Sequence, residues 1–261
     1  MKSNAPRFTI ALSAVIIIAV VIAPISAREA FSQTAATTTN NKISDTSVSA
    51  GHEKKILRIG YFPNINHAQA VIGIGNGDFQ KVLGSNIIVQ PFLFNAGPSA
   101  IEALLAKRID VTYVGSNPAI NGYVVTGGKD LRIIAGATSG GAVFVVGNDS
   151  GVQSPKDFAG KKFASPQLGN TQDISLRKYL LDNGYKTTEN GGSVTIVPVA
   201  NPDIMTLFLK KQIDGAWVPE PWGARLVKEA NGRIFLDERI LWPDGKFVTA
   251  NIVASTDYLK N

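Results

Sequence analysis

A thirteen-residue stretch of this 261-residue chain has a similar counterpart in register 104 residues further on, and few architectures accommodate that. Pro98-Ser99-Ala100-Ile101-Glu102-Ala103-Leu104-Leu105-Ala106-Lys107-Arg108-Ile109-Asp110 aligns with Pro202 through Asp214, and Val114 then aligns with Val218. Identities fall at Pro98/Pro202, Leu105/Leu209, Lys107/Lys211, Ile109/Ile213, Asp110/Asp214 and Val114/Val218. In each copy a proline opens a helix, where its missing N–H costs nothing. A lysine closes the helix near the negative end of its dipole. An Ile-Asp turn then feeds a strand that ends in a proline-containing loop. Generic helix–strand punctuation accounts for the Pro and Lys, less readily for the whole register. The repeat predicts two similar lobes.

The pattern around the repeat is a regular alternation. Short apolar runs at Ile56–Tyr61, Ile87–Phe94, Val111–Val114, Arg132–Thr138, Val143–Val146, Lys162–Ala164, Val194–Pro198, Gly215–Val218, Arg233–Leu236 and Phe247–Ala254 have strand character. Helical stretches at His67–Asn76, Ser99–Arg108, Thr171–Asn183, Pro202–Lys211 and Trp222–Ala230 lie between them. Short apolar strands alternating with helices imply an α/β protein with mainly parallel sheet covered on both faces.

Before this region the chain reads differently. Lys2 and Arg7 precede an uncharged stretch, Phe8 to Ala27, with a dense apolar centre and small residues at Ser26-Ala27. Residues 1–27 therefore read as a secretory leader or, since the run approaches the ~20 residues that span a bilayer, as an uncleaved membrane anchor. Residues 28–55 are rich in Ser, Thr, Asn and Ala, too polar to offset their ordering entropy, and read as a flexible tether. Asn148-Asp149-Ser150 is a glycosylation sequon compatible with export. The chain contains no cysteine, which excludes disulfides, thiolate metal sites and a cysteine nucleophile. Two histidines, His52 and His67, are too few for a histidine-based catalytic metal centre. The net charge of +6 is spread along the chain without a basic run, so nucleic acid is not an expected partner.

In open parallel sheets, ligands bind beyond the carboxyl ends of the strands, where helices begin. Those turns are rich in small polar residues here: Pro63-Asn64-Ile65-Asn66-His67, Asn95-Ala96-Gly97-Pro98-Ser99, Gly115-Ser116-Asn117-Pro118, Thr138-Ser139-Gly140-Gly141 and Gln167-Leu168-Gly169-Asn170-Thr171. Ser, Asn and Thr belong at helix starts as simple caps. Five such turns in one chain also suit an anion held by helix N–H groups without Arg or Lys. Gly169-Asn170-Thr171 is the best single candidate for that role. Trp217 and Trp222, flanking Pro219-Glu220-Pro221, supply either an apolar wall for a ligand or core packing, and the role of Glu220 is open. No nucleophile elbow, Walker loop, His-Glu-x-x-His or dinucleotide fingerprint is present, so no catalytic residue, cofactor or metal is expected.

From Ile56 to the C-terminus the chain resembles the solute-binding proteins of ABC importers for nitrate, taurine and alkanesulfonates. The resemblance rests on Leu57-Arg58-Ile59-Gly60-Tyr61, Asn95-Ala96-Gly97-Pro98, Ile109-Asp110 followed by Gly115-Ser116-Asn117-Pro118, and Ser154-Pro155-Lys156-Asp157-Phe158-Ala159-Gly160-Lys161. It continues through Gly169-Asn170-Thr171 and Ile213-Asp214-Gly215-Ala216-Trp217 with Pro219-Glu220-Pro221-Trp222. It implies a two-lobed periplasmic-binding-protein-like fold that closes on a small anion and delivers it to a permease with its ATPase subunits. The first lobe would span residues 56–142 with 244–261 returning to it, and the second residues 143–243. Two strands would cross between lobes, at Ser139–Val146 and Asp244–Val253. The family's pocket maps onto Asn64, Asn66, His67, Gly97, Pro98, Ser99, Gly115, Ser116, Asn117, Ser139, Gly140, Asn170, Thr171, Trp217, Glu220 and Trp222. The resemblance also implies an exported monomer, periplasmic or at the cell surface. Family members continue past Leu259-Lys260-Asn261, which implies either a C-terminally truncated chain or a first lobe lacking part of its cover. An enzyme on the same fold, of pyrimidine-precursor or menaquinone-pathway type, and an exported ligand sensor are the alternatives.

Overall fold

The computed structural model describes residues 54–260. The leader or anchor, His52 and almost all of the tether read from the sequence lie outside the described residues. Among the described residues no helix is long and apolar enough to cross a membrane.

The chain builds two five-stranded sheets in an α/β arrangement. The first contains β1 (Lys55–Tyr61), β2 (Ile87–Leu93), β3 (Val111–Val114), β4 (Leu131–Ser139) and β10 (Val248–Ser255), in the order β2-β1-β3-β10-β4. The second contains β5 (Ala142–Gly147), β6 (Lys162–Ser165), β7 (Thr195–Pro198), β8 (Gly215–Pro219) and β9 (Gly232–Asp237), in the order β7-β6-β8-β5-β9. Each sheet has one reversed strand, β10 or β5, which pairs antiparallel with both neighbours, while the others run parallel. Both reversed strands follow a crossing. The chain leaves the first sheet through Gly140-Gly141, between β4 and β5, and returns over residues 238–247, between β9 and β10.

The 104-residue repeat is also a repeat of geometry. Ile59 of β1 pairs with Val111 of β3, and Phe163 of β6 pairs with Gly215 of β8. The Asp110 carboxylate accepts the Arg58 backbone N–H at 2.8 Å, and the Asp214 carboxylate accepts that of Lys162 at the same distance. Helices α3 (Gly97–Leu105) and α6 (Asn201–Leu209) are both followed by a lysine of positive φ, 59° at Lys107 and 56° at Lys211. Each pair differs by 104 positions, so the Ile-Asp turn is a reused corner that ties one strand's start to its neighbour.

The remaining helices are α1 (Ala68–Gly75), α2 (Asp78–Leu83), α4 (Ser116–Val125), α5 (Thr171–Asp182), α7 (Trp222–Glu229) and α8 (Thr256–Lys260). The sequence reading leaves α4 as a loop, because Ser-Asn-Pro-Ala-Ile-Asn-Gly-Tyr-Val-Val is poor in intrinsic helix formers. Packing overrides propensity there. Gly122 lets the helix lie against Ile101 and Leu131; a Cβ on it would stand 2.7 Å from Ile101 Cγ2. The first half's core gathers Phe62, Ile101, Leu104, Ile109, Leu131 and Val253. The second half's main core is aromatic, with Phe144, Phe158, Phe163 and Trp217 fully buried.

Candidate functional site

The helix-opening turns of both halves converge. The three-residue turn Ile65–His67 before α1 and the starts of α3, α4, α5 and α6 all contribute to one cavity of about 30 Å3. Its lining includes Asn64, Asn66, His67, Gly97, Gly115, Asn170 and Thr171 from the set expected by resemblance. Phe62, Asn95, Ala96, Pro118, Pro166, Gln172, Asn201, Pro219 and Thr249 complete it. Much of the wall obeys the repeat: Phe62/Pro166, Asn66/Asn170, His67/Thr171, Gly97/Asn201 and Gly115/Pro219 are each 104 residues apart. Carrying the offset from the helices into the turns would have pointed to Pro166, Asn201 and Pro219 directly.

The two halves interlock around this space. Thr171 sits so close to Gly115 that a Cβ on the glycine would stand 2.0 Å from Thr171 Oγ1. The Asn95 amide donates to the Pro166 carbonyl at 3.0 Å, and the Trp222 indole donates to Asn64 Oδ1 at 3.2 Å. The Ile65 N–H donates to the Glu220 carbonyl at 3.0 Å. Asn66 clamps the first crossing: its amide donates to the carbonyls of Gly140, at 2.9 Å, and Gly141, at 3.1 Å.

Among the described residues no Lys, Arg, Asp or Glu lines the cavity. Helix polarity supplies the field instead. Three of the four helices, α3, α4 and α6, begin without any side-chain cap, so the first-turn N–H groups that remain beside Pro98, Pro118 and Pro202 keep their donor capacity. The fourth, α5, is capped by Asn170, whose Oδ1 accepts the Asp173 N–H at 2.8 Å and whose amide donates to Gln172 Oε1. Asn170 is therefore engaged locally, and within Gly169-Asn170-Thr171 the free polar atom is the Thr171 hydroxyl. The fully buried Asp173 carboxylate fixes this corner by accepting from Ser165 Oγ, the Gly169 N–H and Arg177 Nε.

His67 is the cavity's titratable side chain. Burial pushes its pKa down to about 3, because the charged imidazolium would lose hydration. Its Nδ1 accepts the Phe62 N–H at 3.1 Å, which leaves the proton on Nε2, and its ring stacks on Phe62. Three buried side-chain oxygens in the wall have no hydrogen-bond partner: Asn66 Oδ1, Thr171 Oγ1 and Asn201 Oδ1. A neutral imidazole with no carboxylate beside it is poorly equipped for acid–base chemistry. Among the described residues no cluster of three or more His, Asp or Glu could hold a metal. The arrangement is suited to holding a solute.

Other expected site residues lie elsewhere. Pro98 and Asn117 line a separate outer groove with Gly169. The Ser99 hydroxyl donates to the Ala96 carbonyl within its own turn. Ser116 Oγ donates to the Val248 carbonyl and accepts from Asn251. Ser139 ends β4, and the Gly140 carbonyl is taken by Asn66 and Thr249. Trp217 is core rather than cavity wall: it stacks on Phe144, and its indole donates to the buried Glu238 carboxylate at 2.7 Å. Glu220 serves the start of α7 by accepting the Ala224 N–H at 3.0 Å. Trp222 reaches the site only through Asn64, with Arg225 over its ring.

Two α/β halves of equal topology, joined by two crossings and directing helix starts at a shared cavity, define the two-lobed periplasmic-binding-protein fold. Residues 50–259 match the NMT1-like family, and the chain belongs to it. In structure it is similar to the alkanesulfonate-binding protein SsuA of Xanthomonas axonopodis pv. citri bound to MOPS (TM-score 0.66, 20% identity over 80% of this chain and 68% of that one). The periplasmic aliphatic sulphonate binding protein SsuA of Escherichia coli is also similar (TM-score 0.61, 21% identity, 79% of this chain and 67% of that one). So is the periplasmic nitrate-binding protein NrtA of Synechocystis PCC 6803 (TM-score 0.64, 17% identity, 80% and 57%). No curated protein matches the chain in sequence.

Proposed function

We propose that this chain is the extracytoplasmic solute-binding component of an ABC importer and that the cavity between its halves grips a small anion. The observation that carries this is the set of uncapped helix starts, from both halves, around a cavity that has an unpartnered Thr171 hydroxyl and no charged side chain. Such N–H groups stabilise an anion by ~0.3–1 kcal/mol per helix, and by up to ~2 where partly buried. A volume of about 30 Å3 suits a compact charged head such as nitrate, bicarbonate or the sulfonate of taurine or an alkanesulfonate. An attached chain would leave the cavity or hold the halves further apart.

In this reading, residues 56–142 with 244–261 and residues 143–243 are lobes that part to admit the solute, which then shifts the population toward the closed form. Residues 1–27 export the protein as a leader or hold it to the membrane as an anchor, and residues 28–55 tether it. The monomer then presents the solute to its permease. Binding without transformation is the whole of its chemistry.

Calorimetry of the full chain against nitrate, bicarbonate, taurine and ethanesulfonate tests the reading. At least one is expected to bind and to raise the thermal midpoint. Gly115→Ala would drive a methyl into Thr171 and wedge the halves apart, so affinity should fall at least ~10-fold with circular dichroism unchanged. Failure of all four solutes, or full affinity in Gly115→Ala, would overturn it.

A further inference from the structure

The polarity of the cavity wall can be read atom by atom, and it is not uniform. His67 presents Nε2–H, because its other nitrogen accepts from Phe62. Asn64 keeps its amide N–H groups, because its oxygen accepts from Trp222. Gln172 keeps its amide N–H groups too, because its oxygen accepts from Asn170. With the uncapped helix starts, these make a wall of donors, which is what an oxoanion requires.

Two side chains depart from this. Asn95 donates its amide to the Pro166 carbonyl, but it is exposed, so water can meet its oxygen. Asn66 is the buried one. Its amide nitrogen donates to two carbonyls, Gly140 and Gly141, so the amide cannot be turned over without setting its oxygen against both. The oxygen left over is buried in the cavity wall, in a residue 4% exposed, and has no partner. The other two unpartnered atoms are not polarised in this way. The Thr171 hydroxyl can donate or accept, and the Asn201 amide makes no side-chain hydrogen bond that would fix which end it presents. Asn66 Oδ1 is thus the fixed acceptor of the wall that is both buried and unpaired, and a buried acceptor left unpaired is costly.

From this we infer that the solute is a monoanion carrying its own O–H or N–H donor, and that Asn66 is the residue that selects for it. The anionic oxygens meet the helix starts, His67 and Thr171, while the solute's donor meets Asn66 Oδ1. A bare oxoanion of the same size leaves that oxygen unpaired. The inference rests on the proposed solute-binding role and goes beyond it by separating ligands that shape and charge alone cannot.

Two isosteric pairs test it by titration calorimetry on the full chain: bicarbonate against nitrate, and hydrogen methylphosphonate against methanesulfonate at about pH 5, where a phosphonate keeps one proton. Each pair differs by a single donor. The donor-bearing member of at least one pair should bind about ten- to a hundredfold more tightly. His67 stays neutral at that pH, so the proton that counts is the solute's. In Asn66→Ala the ratio within the pair should fall toward one, a readout that a general loss of stability does not mimic. Should that variant fail to fold, the wild-type ratios decide alone. Equal binding within both pairs, or an undiminished ratio in folded Asn66→Ala, overturns the inference and leaves solute binding intact. Binding of none of the four overturns the inference, and the solute-binding reading falls with it when taurine and ethanesulfonate fail as well.

Discussion

The two sheets have the same strand order, the same reversed-strand position and the same Ile-Asp corner, yet they are packed differently. Beneath the second sheet, Phe144 lies at the centre of an aromatic cluster, stacked on Trp217 and edge-on to Phe163 and Phe235. The first sheet has a smaller aliphatic core, and its flank is open. On the edge strand β4, Ile133 and Ile134 are each 50% exposed, and on α4, Val124 is 66% exposed. Topology follows from the repeated corner and turn residues. Stability follows from what fills the space between layers, and that is not repeated. The second half is therefore expected to be the stiffer body.

Truncation at the aromatic centre would test this most severely. Trp217→Ala should cost ~3–5 kcal/mol in urea unfolding, from the lost ring and from the donor taken from buried Glu238, whereas Ile133→Ala should stay within ~0.5 kcal/mol. Similar costs at the two positions would break the contrast.

A second test uses a repeat pair that differs in chemistry. His67 and Thr171 occupy equivalent positions, but only His67 titrates. Its folded pKa, about 3, lies below the ordinary 6.5. The unfolded chain therefore takes up the proton first, and the contribution is full above pH ~6.5 and lost as pH falls toward 3. The slope approaches ~1.4 kcal/mol per pH unit, or about 2 kcal/mol between pH 6.5 and 5. His67→Gln should flatten that part of the stability–pH curve, and a curve unchanged in the variant would place the acid sensitivity elsewhere.

The smallest expected difference lies at the shared corner itself. Asp110 accepts from the Arg58 backbone and from two nitrogens of its guanidinium, at 3.0 and 2.6 Å, while Asp214 has the Lys162 backbone and Lys161 Nζ at 3.7 Å. Asp110→Asn should cost ~1–2 kcal/mol and Asp214→Asn ~0.5–1 kcal/mol in the same unfolding assay. Equal costs would mean that the backbone contact alone holds the corner, and the reverse order would break the contrast.

These differences mark how far the sequence could be read. Strand positions were legible because apolar runs bounded by Gly and Pro have few other uses, and the Pro-to-Asp repeat exposed the twofold plan. Helix α4 was hidden, because its Asn, Gly and β-branched residues form a helix only when Gly122 can approach Ile101. Of the turns chosen as ligand loops, Asn64, Asn66 and His67 line the cavity, as do Gly97, Gly115, Asn170 and Thr171. Ser99 and Ser116 do not, since their hydroxyls bond nearby carbonyls. Trp217 could not be assigned from sequence, because a large ring beside a strand end suits a ligand wall and a core equally well. Gln172 falls just inside a helix, where composition carries no ligand signal, and Asn201 is reached only by carrying the repeat offset over from Gly97.

The first crossing has a mechanical consequence. Gly140 and Gly141 are the only residues between β4 and β5, both with positive φ, at 77° and 79°, which a side chain would strain. So short a span offers four backbone torsions, against ten residues in the return path. In the proposed opening and closing, the halves would turn about an axis running through both crossings, with the glycine pair as its short end. In that proposed motion the gap would widen most at the rim farthest from the axis, and a solute would leave there.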